Sequence, residues 1–448
     1  MSNKARREYI LMRVFGITVF AILILVSVTG AAPFAYVTSI GVDTGTVFVI
    51  DTATDNLTAV VPVEGWAGGA AVNPFGTKVY IADSSGFSTN VFVIDTATNT
   101  VDAVVDVGGY PRRVSVNPKG SRVYVTNRYS RVDDNSNNVS VINTVIGTST
   151  NTVMDPVNMG LSTYDVAFSP DGEKIYATNS RNNTTSVIDA TTNKVTVIVP
   201  VGDYPTDVAV SSDGDKVYVI NSGSNTVSVI DTATNNVTAT VPVGDGPGDI
   251  AISPDGKKAY VANSGSYDNP GNTVSVINTA TNKVISTVPV GTTPLEVAIT
   301  PDGTKVYVAN AESDNVSVID TATNKVTATV STGKYYMNYP TGVVIGPFRG
   351  SKTTDQSKME TFNETDQDTA ANLNATEDTG VEETNLSSEE KNAVEFNNSN
   401  NNNSESDNRG RSGGDESSKN NSTPGFGLLG SLACLYGGWK LRKEKVPK

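Results

Sequence analysis

The sequence contains no histidine and a single cysteine, and it is short of positive charge. Without imidazole, Ser-His-Asp chemistry, haem ligation through histidine and the commonest general base are all excluded. Cys434 alone cannot form an intramolecular disulfide, and metal sites built on His or Cys are ruled out as well. The 33 Lys and Arg stand against 47 Asp and Glu, a formal net charge of -14. A balance of that sign disfavours attraction to nucleic acid phosphates, so no nucleic acid partner is expected. Residues 351–423 alone hold sixteen acidic against six basic side chains.

What is present in abundance is repetition. The stretch Pro294 to Gly333 reads PLEVAITPDGTKVYVANAESDNVSVIDTATNKVTATVSTG, and the tyrosine of its Val-Tyr-Val-Ala-Asn core recurs at Tyr36, Tyr80, Tyr124, Tyr176, Tyr218, Tyr260 and Tyr307. Spacings of this size suit a four-stranded propeller blade. Within the copy, Val297–Thr300, Lys305–Asn310, Val316–Ile319 and Lys325–Val330 are rich in Val, Ile, Thr and Tyr and bounded by turn residues, which predicts four strands. Pro301-Asp302-Gly303 makes a tight turn between the first two. Asp320 to Asn324 closes the third onto the fourth, with asparagine tolerating the left-handed conformation.

The first copy begins at its second strand, because nothing resembling Val-Ala-Ile-Thr-Pro-Asp-Gly precedes Tyr36. After the seventh copy, Tyr339-Pro-Thr-Gly-Val-Val-Ile-Gly-Pro347 supplies the missing first strand. Pairing Val343 to Ile345 beside Tyr36 would close the ring and protect its edges. The expected fold is therefore all-β, a seven-bladed β-propeller of four-stranded antiparallel blades spanning 32–350 and closed by its C-terminal strand.

The flanks carry other signals. Basic residues before an apolar run from Val14 to Val28, then Thr29-Gly-Ala-Ala32, have the layout of a signal peptide over 1–31, an uncleaved anchor being the alternative. Residues 351–423 are rich in Asn, Ser, Thr and acid, too polar to bury a core, and read as a disordered stalk. Sequons begin at Asn56, Asn138, Asn236 and Asn315 in the repeats and at Asn363, Asn374 and Asn385 in the stalk, among others. They are candidate glycan acceptors in an exported chain, though abundant Asn and Thr also produce sequons by chance. In 424–448 an apolar run precedes a basic end, which fits a retention or membrane segment.

The Val-Tyr-Val-Ala-Asn, Val-Ser-Val-Ile-Asp-Thr-Ala-Thr-Asn-Lys-Val and Ser-Pro-Asp-Gly runs resemble the YVTN β-propeller repeats of archaeal surface layer proteins, especially those of methanosarcinas, over roughly Phe34 to Pro347. Pro424-Gly425-Phe426 with the following apolar run and basic end resembles the PGF-CTERM sorting signal, which implies processing by an archaeosortase and attachment to membrane lipid. Related surface proteins often add PKD modules, and this chain carries none.

Two sets of candidate site residues follow. The loops between second and third strands vary in length while the opposite turns stay nearly constant, and variation on a constant scaffold is where recognition sits. Trp66, Tyr110, Tyr164, Tyr204 and Tyr339 precede first strands on that face, and Tyr129 and Tyr267 lie in its loops. Their rings would stack on sugars or anchor a protein partner, or else cover the ends of the blade packing. At a repeat-equivalent position before the first strand stand Asp165, Asp207, Asp249 and Glu296, with Gly69, Arg113 and Gly342 in the other copies. Converging at the channel mouth, these carboxylates would suit calcium; alternatively, each bonds amides of the neighbouring blade. The missing base points to a non-enzymatic cell-surface protein offering its propeller to proteins or glycans. The alternatives are a structural unit of the surface lattice and a lactonase-type hydrolase using channel carboxylates and a cation.

Overall fold

The computed structural model describes residues 33–41, 44–128, 139–144, 151–154, 157–159, 162–333 and 339–346. Within them the repeats form seven four-stranded antiparallel sheets. Taken in chain order these are blade 1 (34–64 with 339–345), blade 2 (67–106), blade 3 (110–153), blade 4 (163–200), blade 5 (205–242), blade 6 (247–289) and blade 7 (294–331). The innermost strands of successive blades contact one another all the way round, which makes the array a closed seven-bladed propeller.

Closure occurs as the unpaired sequence signals require. Tyr339–Ile345 lies antiparallel to Phe34–Ile40, with Val343 opposite Val37, Val344 opposite Tyr36 and Ile345 opposite Ala35. One edge that would otherwise stay open is thereby satisfied by hydrogen bonds.

In blade 7 the strands run Pro294–Ile299, Lys305–Asn310, Asn315–Asp320 and Lys325–Ser331. The turns use the chemistry their residues offer. Gly303 adopts φ 72°, and Asp302 Oδ1 accepts from the Thr304 amide at 3.0 Å. Asp320 Oδ1 accepts from the Thr323 amide at 2.8 Å while Asn324 sits at φ 52°. Only residues that tolerate left-handed backbone are comfortable there.

Packing lies between blades. Seven apolar clusters each join the middle strands of one blade to the inner strands of the next. The repeated tyrosine is buried in every copy. Each valine or isoleucine fully buried in these seams contributes about 1.5–3 kcal/mol relative to exposure. Hydrogen bonds link the outer ends of the same seams. Tyr124 donates its hydroxyl to Asn193 Oδ1 of the following blade at 2.9 Å, and Tyr260 does the same to Asn324 at 3.3 Å. At the closing seam the acceptor is a charged residue. Asp55 receives the Tyr307 hydroxyl and the Lys305 ammonium, the latter at 2.8 Å.

One boundary departs from expectation, and it matters for the site. The first strand of blade 7 begins at Pro294 rather than Val297. It is interrupted: Pro294 pairs with Asn310 and Glu296 with Ala309, so Leu295 is an extra residue without a partner. Sequence periodicity does not register such a β-bulge, because the strand on either side of it keeps its own alternation.

Candidate functional site

The same bulge occurs in the innermost strand of all seven blades. Bulges bend a strand and redirect side chains, and they are common beside functional sites. Here they build two stacked rings around the axis. The outer ring is Gly68, Arg112, Tyr164, Thr206, Gly248, Leu295 and Thr341, all of which line a cavity of about 490 Å³ at the channel mouth. The inner ring is one residue further along: Gly69, Arg113, Asp165, Asp207, Asp249, Glu296 and Gly342.

The inner ring is a charged constriction. Arg113 reaches across the axis from blade 3, its Nη1 standing 3.1 Å from Glu296 Oε1 and 3.5 Å from Asp249 Oδ1. Arg113 and Glu296 line both the mouth cavity and a second cavity of about 400 Å³ on the far side, so this pair forms the partition between them. Two glycines make room for it. A Cβ on Gly342 would lie 2.6 Å from Glu296 Oε2, and one on Gly69 would lie 3.0 Å from the Arg113 Cα.

The carboxylates also hold backbone. Asp207 Oδ2 accepts from the Ile250 amide and Asp249 Oδ2 from the Val297 amide, each at 2.8 Å. Glu296 accepts from the Val343 amide in turn. Each is a bond to the next blade, so the carboxylates meet at the axis and brace it together.

Four carboxyls around one guanidinium cannot all ionise cheaply in a buried setting. Burial, reinforced by the charges of Asp249 and Asp165, holds Asp207 well above the usual carboxylate range. Burial also raises Asp249, against the pull of Arg113. Glu296 is pushed up to about 8, chiefly by burial, with Arg113 opposing and Asp249 and Asp165 adding to the rise. A carboxyl of that acidity exchanges protons near neutrality, the range in which a general base is effective. The fixed cation beside it is positioned to stabilise negative charge developing on an oxygen.

The cation facing Asp249 and Glu296 is thus a side chain of the chain itself. Among the described residues, no group of three or more carboxylates stands as a metal-ligand set. The aromatic set divides. Tyr267 and Tyr339 line the mouth cavity, and Tyr204 packs edge-on against Tyr164, 6.4 Å between centroids. Trp66 and Tyr110 are outside its lining, and Tyr129 lies outside the described residues. Asn56 and Asn236 are exposed, whereas Asn315 is half-buried and donates to the Ser313 carbonyl at 2.9 Å. Asn138, Asn363, Asn374, Asn385 and Pro424 to Phe426 fall outside the described residues, as do the segments 1–31 and 351–448.

Sequence reasoning singled out the inner ring but, Tyr164 apart, missed the outer one. Arg112, Thr206, Leu295 and Thr341 differ from copy to copy at one fixed place in the repeat, and that divergence was the available signal. The guanidinium of Arg112 stacks over the Tyr164 ring, 3.2 Å from its centroid, on the blade 3–4 side of the mouth.

A family model described as Lactonase, 7-bladed beta-propeller, matches residues 230–345, a span that includes Asp249 and Glu296. No curated protein matches the sequence. Among solved structures, a candidate 6-phosphogluconolactonase from Bacteroides fragilis is 19% identical with a TM-score of 0.55, covering 71% of this chain and 99% of its own. One from Bacteroides uniformis is 19% identical with a TM-score of 0.56, covering 70% and 99%. The hydrazine synthase of Kuenenia stuttgartiensis is 22% identical with a TM-score of 0.54, covering 66% and 97%. At these identities the structures carry the fold alone. The Lactonase match overturns the expectation that the chain is not an enzyme. That expectation rested on the missing imidazole, and a buried carboxyl beside a guanidinium supplies a base and a cation without one.

Proposed function

We propose that the protein is a hydrolase of the lactonase class, opening cyclic esters in the mouth cavity. The observation that carries this is the Arg113–Glu296 pair at the cavity floor, 3.1 Å apart and accessible from the mouth. The Lactonase match over residues 230–345 supports it. In the reaction, ionised Glu296 takes a proton from a solvent water, and the hydroxide attacks the lactone carbonyl carbon. Arg113 donates hydrogen bonds to the resulting oxyanion. As the carbonyl re-forms, the ring carbon–oxygen bond breaks, and Glu296 returns its proton to the departing alkoxide. The product is the open hydroxy acid, with one water consumed.

The sequence signals at 1–31 and at Pro424-Gly425-Phe426 support placing this activity outside the cell, on a chain held at the surface by its C-terminal segment. Candidate glycans and neighbouring surface proteins would be its surroundings there.

The test is acid release in a pH-stat with five- and six-membered lactones, compared with buffer alone. Acceleration of at least one ring size is expected. A protein that leaves every lactone at its spontaneous rate would refute the reading.

A further inference from the structure

The cavity walls define what hangs from the ring. The apolar arc of the mouth is Leu295, Ala311, Ile40 and Tyr339, from blades 7 and 1, which line it together with Glu296. Ile40 and Ala311 are buried, yet neither they nor Leu295 belong to any of the seven clusters that hold the blades together. Leu295 is moreover a bulge residue, so the fold turns this leucine out of the strand pairing and into the mouth.

Three hydroxyls of the lining are already engaged, while that of Thr293, beside Leu295, has no partner among the described residues. Ser264 Oγ donates to the Pro294 carbonyl at 2.5 Å, Thr341 Oγ1 to the Ala67 carbonyl at 2.9 Å, and Thr206 pairs with Ser222 at 2.6 Å. Leu295, Ala311 and Ile40 carry no side-chain donor or acceptor, so a polyhydroxylated ring placed against them would lose its water without recovering equivalent bonds, which is costly for each hydroxyl. An alkyl group would instead displace water from surface that gains by being covered.

We propose that the substrate is a lactone bearing an aliphatic substituent, its ring at Arg113 and Glu296 and its tail along Leu295, Ala311, Ile40 and Tyr339. This rests on the lactonase reading for the ring and on the apolar arc for the tail. Tyr267, 64% exposed, also lines the cavity and offers its ring to a longer tail.

The experiment is calorimetric titration of the full chain with 6-alkyl piperidin-2-ones, lactams that mimic the ring and resist hydrolysis, from methyl to hexyl, alongside gluconolactam. Turnover of the corresponding lactones is followed in parallel. Affinity is expected to rise about three- to four-fold per methylene until the cavity is filled, with gluconolactam binding no better than the unsubstituted ring. Leu295→Ser should flatten the chain-length dependence, with circular dichroism confirming the fold. A flat series, tighter binding of gluconolactam, or no binding of any ring overturns the proposal. The outcomes separate the two readings. Graded binding without lactone turnover sinks the hydrolase and keeps the apolar site, whereas turnover that favours the sugar lactone does the reverse.

Discussion

The outside of the disc and its axis are built from the same repeat and treat it in opposite ways. Along the seams between blades, each copy supplies a buried tyrosine, valines at matching positions and a turn residue in left-handed backbone. At the axis, two consecutive positions of that repeat are occupied by glycine, arginine, tyrosine, threonine, leucine, aspartate and glutamate in different copies. Residues that hold blade to blade meet the same neighbour seven times and are held to one solution. Residues on the axis face a shared space, and each can be set independently of the seams, the outer-ring residue most of all because the bulge leaves it unpaired. Sameness in this chain marks the fold, and divergence marks the site.

The contrast can be tested from its strongest consequence downwards. A chain ending at Gly333 lacks the strand that pairs with Phe34–Ile40, and scanning calorimetry should show loss of the single cooperative transition. An unchanged melting profile would mean the seams do not need the ring to close. Next, Arg113→Met leaves the axial carboxyls without their counter-charge. Breaking a buried pair of this kind costs about 3–5 kcal/mol. Urea denaturation should show that loss at pH 9, above the Glu296 value of about 8, and a smaller one at pH 5, where Glu296 is neutral. Equal losses at both pH values would show that Arg113 acts through packing alone.

Titration of the axis itself gives a further separation. Glu296 binds its proton more tightly folded, near 8, than at its ordinary value of 4.5. The stability it confers is therefore complete below about 4.5 and is lost as pH rises through about 8. Glu296→Gln should flatten the stability profile across that window, as followed by urea midpoints, and a wild-type profile already flat there would contradict the assignment. The smallest effects belong to the seams. Tyr307→Phe removes a hydrogen bond to charged Asp55 and should cost about 1.5–3 kcal/mol, against about 1 kcal/mol for Tyr260→Phe, whose acceptor is neutral Asn324. Equal costs would place the closing seam on the same footing as the Tyr260 seam.

Much of the disc was legible before any coordinates. Seven tyrosines at blade spacing, the vacancy before Tyr36 and the surplus strand at Val343 to Ile345 were enough to specify both the architecture and its closure. Asp165, Asp207, Asp249 and Glu296 were legible as a register position. What that reading could not supply was direction across the axis. Arg113 meets Asp249 and Glu296 from 136 and 183 residues away, and no periodicity links positions that far apart. Nor could it find the bulge, since an unpaired residue inside a strand leaves no mark in alternation. Leu295 and Thr341 were therefore read as the approach to a strand. The tyrosine latches were hidden for a related reason: Tyr260 and Asn324 stand 64 residues apart, each plausible as a local core or turn residue.

The central claim is that the axial pair performs chemistry, and δ-valerolactone hydrolysis followed between pH 5 and 9 tests it most directly. The wild-type rate should rise with ionisation of a group near pH 8, and Glu296→Gln should lower it at least about a hundred-fold, the usual contribution of a positioned base. A wild-type rate equal to that of buffer, or a Glu296→Gln variant as fast as wild type, would contradict it.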